Sequence, residues 1–259
     1  MIPKNWNDIS VGTFIEMFSF KPDEFATENE YLVQLYSVLC DEDPTAYEEM
    51  DMELFNELKY EFEYLSKLPN KGPKTSLIIE NTELHLLPEL NHITFGEFID
   101  LENLITSNQI ENLPMILAIM YRRLIVNDDV FIPDVIEPYG NYISHRSKLF
   151  NDVSIADVYG VLPMYIKFRT NIFEIYSGLF DNDTDEGEEV IDISEMSRAE
   201  KLDYQKKLEY DKTISKWNLE IMLLKLADND ITKVEKITEL GLIHCLNSLA
   251  MRKELNITT

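Results

Sequence analysis

The sequence predicts a mainly α-helical protein with two related multi-helix modules, an intervening β-hairpin and a C-terminal helical region. Three observations support this fold class. Apolar residues recur at the spacing of amphipathic helices along most of the chain. Residues 75–90 change instead to a strand-like period. Five capping-box patterns, a Ser or Thr followed three residues later by Glu, mark helix N-termini: Thr27/Glu30, Thr45/Glu48, Thr94/Glu97, Ser197/Glu200 and Thr232/Glu235.

The N-terminal acidic helical module is predicted to span residues 1–70. It contains three helices with apolar residues at helical spacing, and an Asp-Glu-Asp-Pro turn at 41–44 separates the second helix from the third. Residues 69–73, Pro-Asn-Lys-Gly-Pro, end the third helix, because proline and glycine both interrupt helices. This stretch is therefore predicted to be a linker.

The β-hairpin opens the next predicted domain, residues 75–180. Two short apolar runs, 76–80 and 83–87, flank Asn81-Thr82, which is typical of two strands joined by a tight turn. An isolated hairpin is marginally stable in water, so this one must pack on helices or pair with a partner strand. If its edge is free, we expect strand addition across a subunit boundary.

The second helical module completes that domain. Thr94 caps its first helix, residues 113–126 are expected to form a strongly apolar second helix, and residues 155–179 are expected to form one long third helix. Between them, residues 127–152 form a long irregular connection, and long loops in compact proteins are often functional. Phe131 and Tyr139 are candidate docking residues in this connection, with an ordinary packed surface loop as the alternative.

A short sequence echo links the two modules. Residues 9–17 and 93–101 are identical at four of nine positions, including a glycine in the first helical turn of each. The echo predicts that one helical unit is used twice, whereas the alternative is convergent capping of two ordinary helices. Close packing explains Gly12 and Gly96 better than ligand contact does.

Residues 181–196 are predicted to be an acidic linker. Asp181, Asp183, Asp185 and Asp192 approach the spacing of a calcium-binding EF-hand loop. However, Glu186 stands where that loop needs glycine for its sharp turn. The alternative to this weak metal site is a solvated segment with no ligand.

The C-terminal helical region is predicted to span residues 197–259. A long helix over 198–226 is charged first and then apolar, and Trp217 lies in its apolar part. A turn at 228–230 leads into two short helices over 233–240 and 242–253. Trp217 is a candidate anchor for a partner, because large aromatic side chains dominate many interfaces.

The chain is strongly acidic, with a formal net charge of −25. Residues 1–65 carry 16 acidic and 3 basic side chains. Such a surface repels phosphate backbones, so we expect no direct nucleic-acid binding. It suits a partner with a basic face, a wall that DNA slides past, or simple solubility.

Other classes of function are disfavoured by what the sequence lacks. It has no run of 18 apolar residues, and its first residues lack an apolar stretch, so we expect neither a membrane span nor a secretory signal. Cys40 and Cys245 are expected to be reduced, buried thiols. Neither a Gly-rich phosphate loop nor a zinc-type pairing of His or Cys occurs. We therefore expect neither a cofactor nor enzymatic activity.

Two segments carry a resemblance to a known class of proteins. They are the helix opening at 93–101, Ile-Thr-Phe-Gly-Glu-Phe-Ile-Asp-Leu, and the C-terminal stretch from Leu226-Ala227-Asp228-Asn229-Asp230-Ile231-Thr232-Lys233 into the last helices. In these the chain resembles virion or assembly proteins of tailed bacteriophages, in particular crAss-like phages of gut bacteria. The resemblance implies a multi-copy, non-enzymatic component of the virion, assembled in the host cytoplasm. It carries over no functional residues.

Three hypotheses about function follow. The leading one is a structural or assembly protein that binds other phage structural proteins, with a homo-oligomer also open. The hairpin, residues 127–152 and the C-terminal helices would make the contacts, with Phe131, Tyr139 and Trp217 as anchors. The second hypothesis is an internal cargo protein, packaged in the particle and ejected from it. The third is a calcium-responsive regulatory binding protein.

Overall fold

The computed structural model describes residues 2–125, 135–140, 142–180 and 217–256. It is mainly helical with a small antiparallel sheet and C-terminal helices, which confirms the predicted fold class. The helices are α1 Val11–Ser19, α2 Glu28–Cys40, α3 Thr45–Glu48, α4 Met52–Glu61, α5 Phe95–Asn108, α6 Leu113–Met120, α7 Ile143–Leu149, α8 Ile155–Val158, α9 Val161–Ile175, α10 Ser177–Phe180, α11 Asn218–Leu226, α12 Val234–Thr238 and α13 Leu242–Glu254. The strands are β1 Ser76–Ile79, β2 Thr82–Leu86, β3 Tyr121–Ile125 and β4 Val135–Ile136.

The chain divides into two compact units, each made of two separate stretches of sequence. Unit 1 contains residues 1–88 and 101–166, and unit 2 contains residues 89–100 and 167–259. These units group residues differently from the four predicted segments. The four predicted domain boundaries stay a prediction.

The predicted hairpin is present in unit 1 and belongs to a larger sheet. Its strands pair antiparallel in the order β1-β2-β3-β4. The turn residues are Glu80 and Asn81, one position earlier than predicted, with φ of 47° and 63°. Two consecutive left-handed residues give the type I′ turn whose twist matches that of paired strands. Ile79 therefore pairs with Thr82 across the turn.

The predicted helix over 113–126 is wrong in its second half. Helix α6 ends at Met120, and residues 121–125 form strand β3, which pairs with β2. The whole stretch is apolar up to Tyr121, and periodicity cannot separate a buried helix from a buried strand in such a run. Pairing with the hairpin decides the outcome, since it satisfies backbone groups of β3 and of the side of β2 that faces it.

Two further predictions for the second module need correction. The connection over 127–152 is not wholly irregular, because it contains β4 and α7. The predicted helix over 155–179 is divided into α8, α9 and α10. One break falls at Tyr159-Gly160, where a methyl group placed on Gly160 would lie 2.6 Å from the Lys71 carbonyl oxygen and 2.6 Å from the Pro73 nitrogen. The chain at residues 71–73 thus passes directly against the break.

In two of the predicted capping boxes, the threonine hydroxyl accepts the expected hydrogen bond from the glutamate amide. The Glu97 amide donates to the Thr94 hydroxyl at 3.2 Å, and the Thr94 amide donates to the Glu97 carboxylate at 2.5 Å. The Glu30 amide donates to the Thr27 hydroxyl at 3.2 Å. The Glu30 carboxylate departs from the pattern, because it accepts from the amide one residue before Thr27.

Two other predicted boxes are wrong. Asp43 accepts hydrogen bonds from both the amide and the hydroxyl of Thr45, and Asp230 does the same for Thr232. These bonds from threonine lower the pKa of both aspartate carboxyls. In both segments the threonine hydroxyl thus donates to an aspartate two residues upstream instead of accepting from a helix amide. Ser197/Glu200 lies outside the described residues.

The repeated sequence forms the same structural joint in each unit. In unit 1, the Val11 amide donates to the Val153 carbonyl at 2.8 Å and the Ile155 amide donates to the Ile9 carbonyl at 2.9 Å. These bonds link the start of α1 to the start of α8 by a bridge between Ser10 and Ser154. The two residues bridged are the N-caps of those helices.

Unit 2 repeats this arrangement with its own residues. The Phe95 amide donates to the Leu240 carbonyl at 2.8 Å, and the Leu242 amide donates to the Ile93 carbonyl at 2.9 Å. A bridge between Thr94 and Gly241 thus joins the starts of α5 and α13. The repeated unit is therefore a pair of helix N-termini joined by two backbone hydrogen bonds rather than a single helix, and we call it the repeated joint. These bonds involve only residues at the start of each helix, which explains why the sequence echo is short.

Tyr36 lies in the core of unit 1, against Tyr47, Phe55 and Phe62. Burial, with a smaller contribution from the Glu28 carboxylate, raises the pKa of Tyr36 to about 12. Cys40 and Cys245 are both buried free thiols. Burial raises the pKa of the Cys245 thiol to about 11.

We expect the Tyr36 phenol to make the protein sensitive to alkali. The pKa of Tyr36 is raised in the folded state. Its contribution to the free energy of unfolding is therefore complete below pH 10 and is lost as pH rises toward about 12. A rise of this size corresponds to a loss on the order of 2 kcal/mol in the free energy of unfolding. Urea denaturation at pH 8, 10 and 11 should show wild type losing more stability than Tyr36→Phe. Equal losses in the two proteins would contradict this assignment.

Candidate functional site

The candidate anchors predicted from sequence have different environments. Phe131 lies outside the described residues. Tyr139, in unit 1, is half-buried, and its ring centre lies 5.5 Å from the Arg122 guanidinium carbon. Trp217, in unit 2, precedes α11 and is 47% exposed. Tyr139 and Trp217 remain predictions as partner contacts.

The metal candidates cannot be placed. Asp181, Asp183, Asp185 and Asp192 lie outside the described residues. Among the residues that the structure describes, no group of three or more His, Cys, Asp or Glu side chains is arranged to hold a metal ion. Within the same part of the chain, no helix combines the length and apolar character needed to span a membrane.

The free edge of the sheet is formed by β1. In the described part of the chain, its one strand neighbour is β2. Residues in an antiparallel pair alternate between bonding to the partner and pointing away from it. The Leu86 amide donates to the Thr75 carbonyl at 2.9 Å, so the alternate residues Leu77 and Ile79 bond to β2. The amide and carbonyl of Ser76 and Ile78 therefore point outward along the edge.

The two faces of β1 differ in exposure. Leu77 is 7% exposed and lies opposite Leu84 on the core face. Ile78, on the opposite face, is 78% exposed. Proteins usually protect a strand edge that carries so exposed a β-branched apolar side chain with charge, proline or a covering loop.

A groove runs beside this edge, and we call it the edge groove. One wall is β1, and the other is the segment from Lys148 to Asp157, which includes the end of α7 and the start of α8. Its volume is about 790 Å³. Leu149 and Val153 contribute apolar surface to the second wall, both half-buried. The edge groove thus offers apolar contacts next to unpaired backbone groups.

The first end of the edge groove is held by a two-point contact. The Lys74 amide donates to the Asp157 carbonyl at 2.8 Å, and the Lys74 ammonium lies 2.7 Å from the Asp157 carboxylate. Tyr121 adds a third bond, donating its hydroxyl to the Lys74 carbonyl at 2.6 Å. These bonds fix the start of β1 against α8. The geometry of the groove is therefore set by the fold before any partner arrives.

The edge groove carries charged residues of both signs. Its charged residues are Lys74, Glu80, Lys148, Asp152 and Asp157, and Lys74 is already paired with Asp157. Mixed charges around an apolar centre, with backbone donors and acceptors aligned along one side, match the recognition of an extended peptide. The chemistry that the site supports is hydrogen bonding.

Of the elements that form this site, the sequence predicted the hairpin but not the opposite wall. The segment from Lys148 to Asp157 lies about 70 residues further along the chain, and no local pattern in it signals contact with β1.

Comparisons of the chain with protein-family models, with curated proteins and with solved structures find no match. The resemblance to tailed-phage proteins therefore remains a prediction.

Proposed function

We propose that this chain is a non-enzymatic protein that binds another protein by accepting an extended segment along β1. The observation that carries the proposal is the pair of outward-facing residues, Ser76 and Ile78, beside a preformed groove. An added strand satisfies their backbone groups, and its alternate side chains enter the groove next to Leu149 and Val153.

The length of β1 determines what can bind. Its four residues span about 13 Å at 3.3 Å per residue, which matches four or five residues of an added strand. Such a segment makes few backbone hydrogen bonds. Much of the affinity must therefore come from apolar side chains that leave water on entering the groove.

The charge of the chain favours a different protein over a second copy as the partner. Each copy carries a formal net charge of −25, and like charges of this size oppose self-association. A partner with a neutral or basic segment meets no such repulsion. We therefore assign the added strand to another protein.

The resemblance to tailed-phage proteins supports a specific setting for this binding. We propose that the partner is another structural protein of a phage particle, assembled in the host cytoplasm. Mass spectrometry of purified particles tests this setting apart from the binding mode. Absence of the chain from particles and from assembly intermediates would remove the phage setting and leave the edge groove unaffected.

We expect Ile78→Pro to abolish partner binding without unfolding the protein. Proline removes an amide that points outward, so no bond between β1 and β2 is lost. Wild type and Ile78→Pro should each be purified through the same tag from the cells that express them. The proteins recovered with each are then compared. A partner recovered by wild type should fall at least tenfold with Ile78→Pro.

Ile78→Thr is the matched control, because it shortens the same side chain but keeps the amide. We expect it to weaken recovery less than threefold, with all three proteins melting within a few degrees of each other. Equal loss in both variants would assign binding to the side chain instead of the backbone. If Ile78→Pro instead converts a dimer to a monomer in sedimentation, the added strand comes from a second copy.

A further inference from the structure

A second groove, distant from the sheet edge in sequence, lies among the N-terminal helices of unit 1. It is formed by α2, α3, α4 and the residues next to them, and its volume is about 370 Å³. We call it the acidic-rimmed groove. Its apolar lining is Phe25, Val33, Tyr47, Met50, Met52 and Phe55.

The floor of the acidic-rimmed groove is rigid and its lip is adaptable. Tyr47 is 4% exposed and Phe55 is 3% exposed, and both rings pack against Tyr36 in the core. Met52, at the lip, is 59% exposed. Methionine is unbranched and polarisable, so it adjusts to the shape of an incoming apolar group and is common on binding surfaces that accept varied partners.

The rim of the groove is acidic and has little basic compensation. Glu30 and Glu48 are both exposed there. Residues 22–64, which contain the groove, carry 14 acidic side chains and a single basic one, Lys59. Lys59 lies 3.7 Å from the Glu28 carboxylate and 5.9 Å from the centre of the Phe55 ring, so one cation stands against the 14 acidic side chains of this stretch. The groove therefore combines apolar surface with a negative field.

Helices make up most of the walls of this groove, whereas strand β1 forms one wall of the edge groove. The backbone of α2, α3 and α4 is hydrogen-bonded within each helix, so it offers a partner side chains rather than a strand edge. An apolar groove between helices suits an amphipathic helix, which inserts side chains three or four residues apart. Lysine or arginine flanking those anchors would face the acidic rim.

We infer that the acidic-rimmed groove is a docking site for a basic amphipathic helix of a partner protein. The apolar face of that helix covers Met52 and fills the space above Phe55, while its basic residues lie opposite Glu30 and Glu48. This site is separate from the edge groove, so a partner can be lost from one while the other still binds.

The test uses the full chain and a synthetic probe. The probe is a fluorescein-labelled 18-residue peptide of leucine and lysine, arranged so that leucine forms one helical face. Fluorescence anisotropy should show saturable binding in 50 mM salt, with affinity falling at least tenfold in 500 mM salt because exposed charges are screened. A scrambled peptide of the same composition and a leucine–glutamate peptide are expected not to bind.

Substitutions locate the binding on the protein. We expect Met52→Gln and Glu48→Lys each to weaken the probe at least fivefold. Leu54→Gln and Glu57→Lys make the same chemical changes at exposed positions that do not line the groove, and we expect less than a twofold effect from them. Circular dichroism and melting of each variant establish that it is folded before binding is compared.

Three outcomes would overturn the proposal. Equal binding of the amphipathic and scrambled peptides would reduce the effect to general attraction between opposite charges. Binding unchanged in Met52→Gln would mean that the apolar groove takes no part. No binding of the probe at 100 μM protein in low salt would remove the site altogether. None of these outcomes bears on Ile78 and the edge groove.

Discussion

Replacing Arg146 with methionine is expected to lower the free energy of unfolding by about 3–5 kcal/mol, because it removes one partner of a buried ion pair and leaves the other. Arg146 lies in α7 and is 6% exposed. Its guanidinium pairs with the Glu137 carboxylate, and its Nε donates to the Ala118 carbonyl at 3.0 Å. Methionine keeps the apolar stem of the side chain and removes the charge.

The loss of stability is expected to be large because the substitution leaves the Glu137 carboxylate and the Ala118 carbonyl without Arg146 as a partner. The Glu137 side chain is 21% exposed, so little water replaces the lost partner. The Ala118 carbonyl also loses its donor, inside helix α6, where residues 116–120 are all buried. Burying an unpaired carboxylate and an unpaired carbonyl costs more than the pair itself contributes.

Urea denaturation at neutral pH measures the effect. Lys148→Met makes the same removal of a cation on the exposed side of α7, and we expect it to change stability by less than about 0.5 kcal/mol. The double variant Arg146→Met/Glu137→Leu should recover part of the loss, because the Glu137 carboxylate is then removed together with its partner. A single variant as stable as Lys148→Met would show that the pair is solvated in the folded protein.

The burial of Arg146 does not follow from the residues around it in the sequence. Its segment contains proline, glycine and charged residues, which predict an irregular, exposed connection. Its burial comes from partners 9 and 28 positions away, Glu137 and Ala118, which no local pattern links to it. The same holds for β3, whose strand form depends on pairing with β2 about 37 residues earlier.

Elements whose stability is local were predictable. Helices α1, α2, α4 and α13 have apolar spacing and end signals within the element itself. The hairpin was predictable because its turn and both strands are contiguous. Cap positions were less so: Thr45 and Thr232 fit the capping box, but an upstream aspartate competes for the same amides.

The candidate site was half predictable for the same reason. The free edge of β1 follows from the hairpin, and its capacity for strand addition was predicted on the condition that the edge is free. The opposite wall of the edge groove depends on a long-range bond, from the Lys74 amide to the Asp157 carbonyl. The acidic-rimmed groove was visible only as an excess of acidic residues, because its apolar lining comes from three helices.

Replacing Gly160 with alanine is expected to cost about 3 kcal/mol, near the upper end of overpacking penalties. The added methyl would lie 2.6 Å from the Lys71 carbonyl oxygen, 2.6 Å from the Pro73 nitrogen and 2.7 Å from the Pro73 Cδ. Backbone atoms and a proline ring cannot rotate away as a long side chain can. The chain at 71–73 must therefore shift, and it is tied to α8 through Lys74.

Gly72→Ala is the control, since a methyl at Gly72 meets no atom within 4 Å. It lies in the very segment that Gly160 touches, and we expect a change of less than about 0.5 kcal/mol. Thermal melting and urea denaturation of both variants provide the comparison. If Gly160→Ala were as stable as Gly72→Ala, residues 71–73 would have to move freely, and the preformed wall of the edge groove would be in doubt.

The two glycines of the repeated joint extend this series and test what the repeat requires. A methyl on Gly96 would lie 2.9 Å from the Thr238 Cβ, whereas one on Gly12 would lie no closer than 3.3 Å, from the Asn151 carbonyl oxygen. At a helix position alanine is also more stable than glycine by about 1 kcal/mol, and this gain offsets a mild steric contact but not a severe one. We therefore expect stability to fall in the order Gly12→Ala, Gly96→Ala, Gly160→Ala, with the first close to wild type. The reverse order for Gly12 and Gly96 would mean that the shared glycine serves something other than the approach of the neighbouring chain.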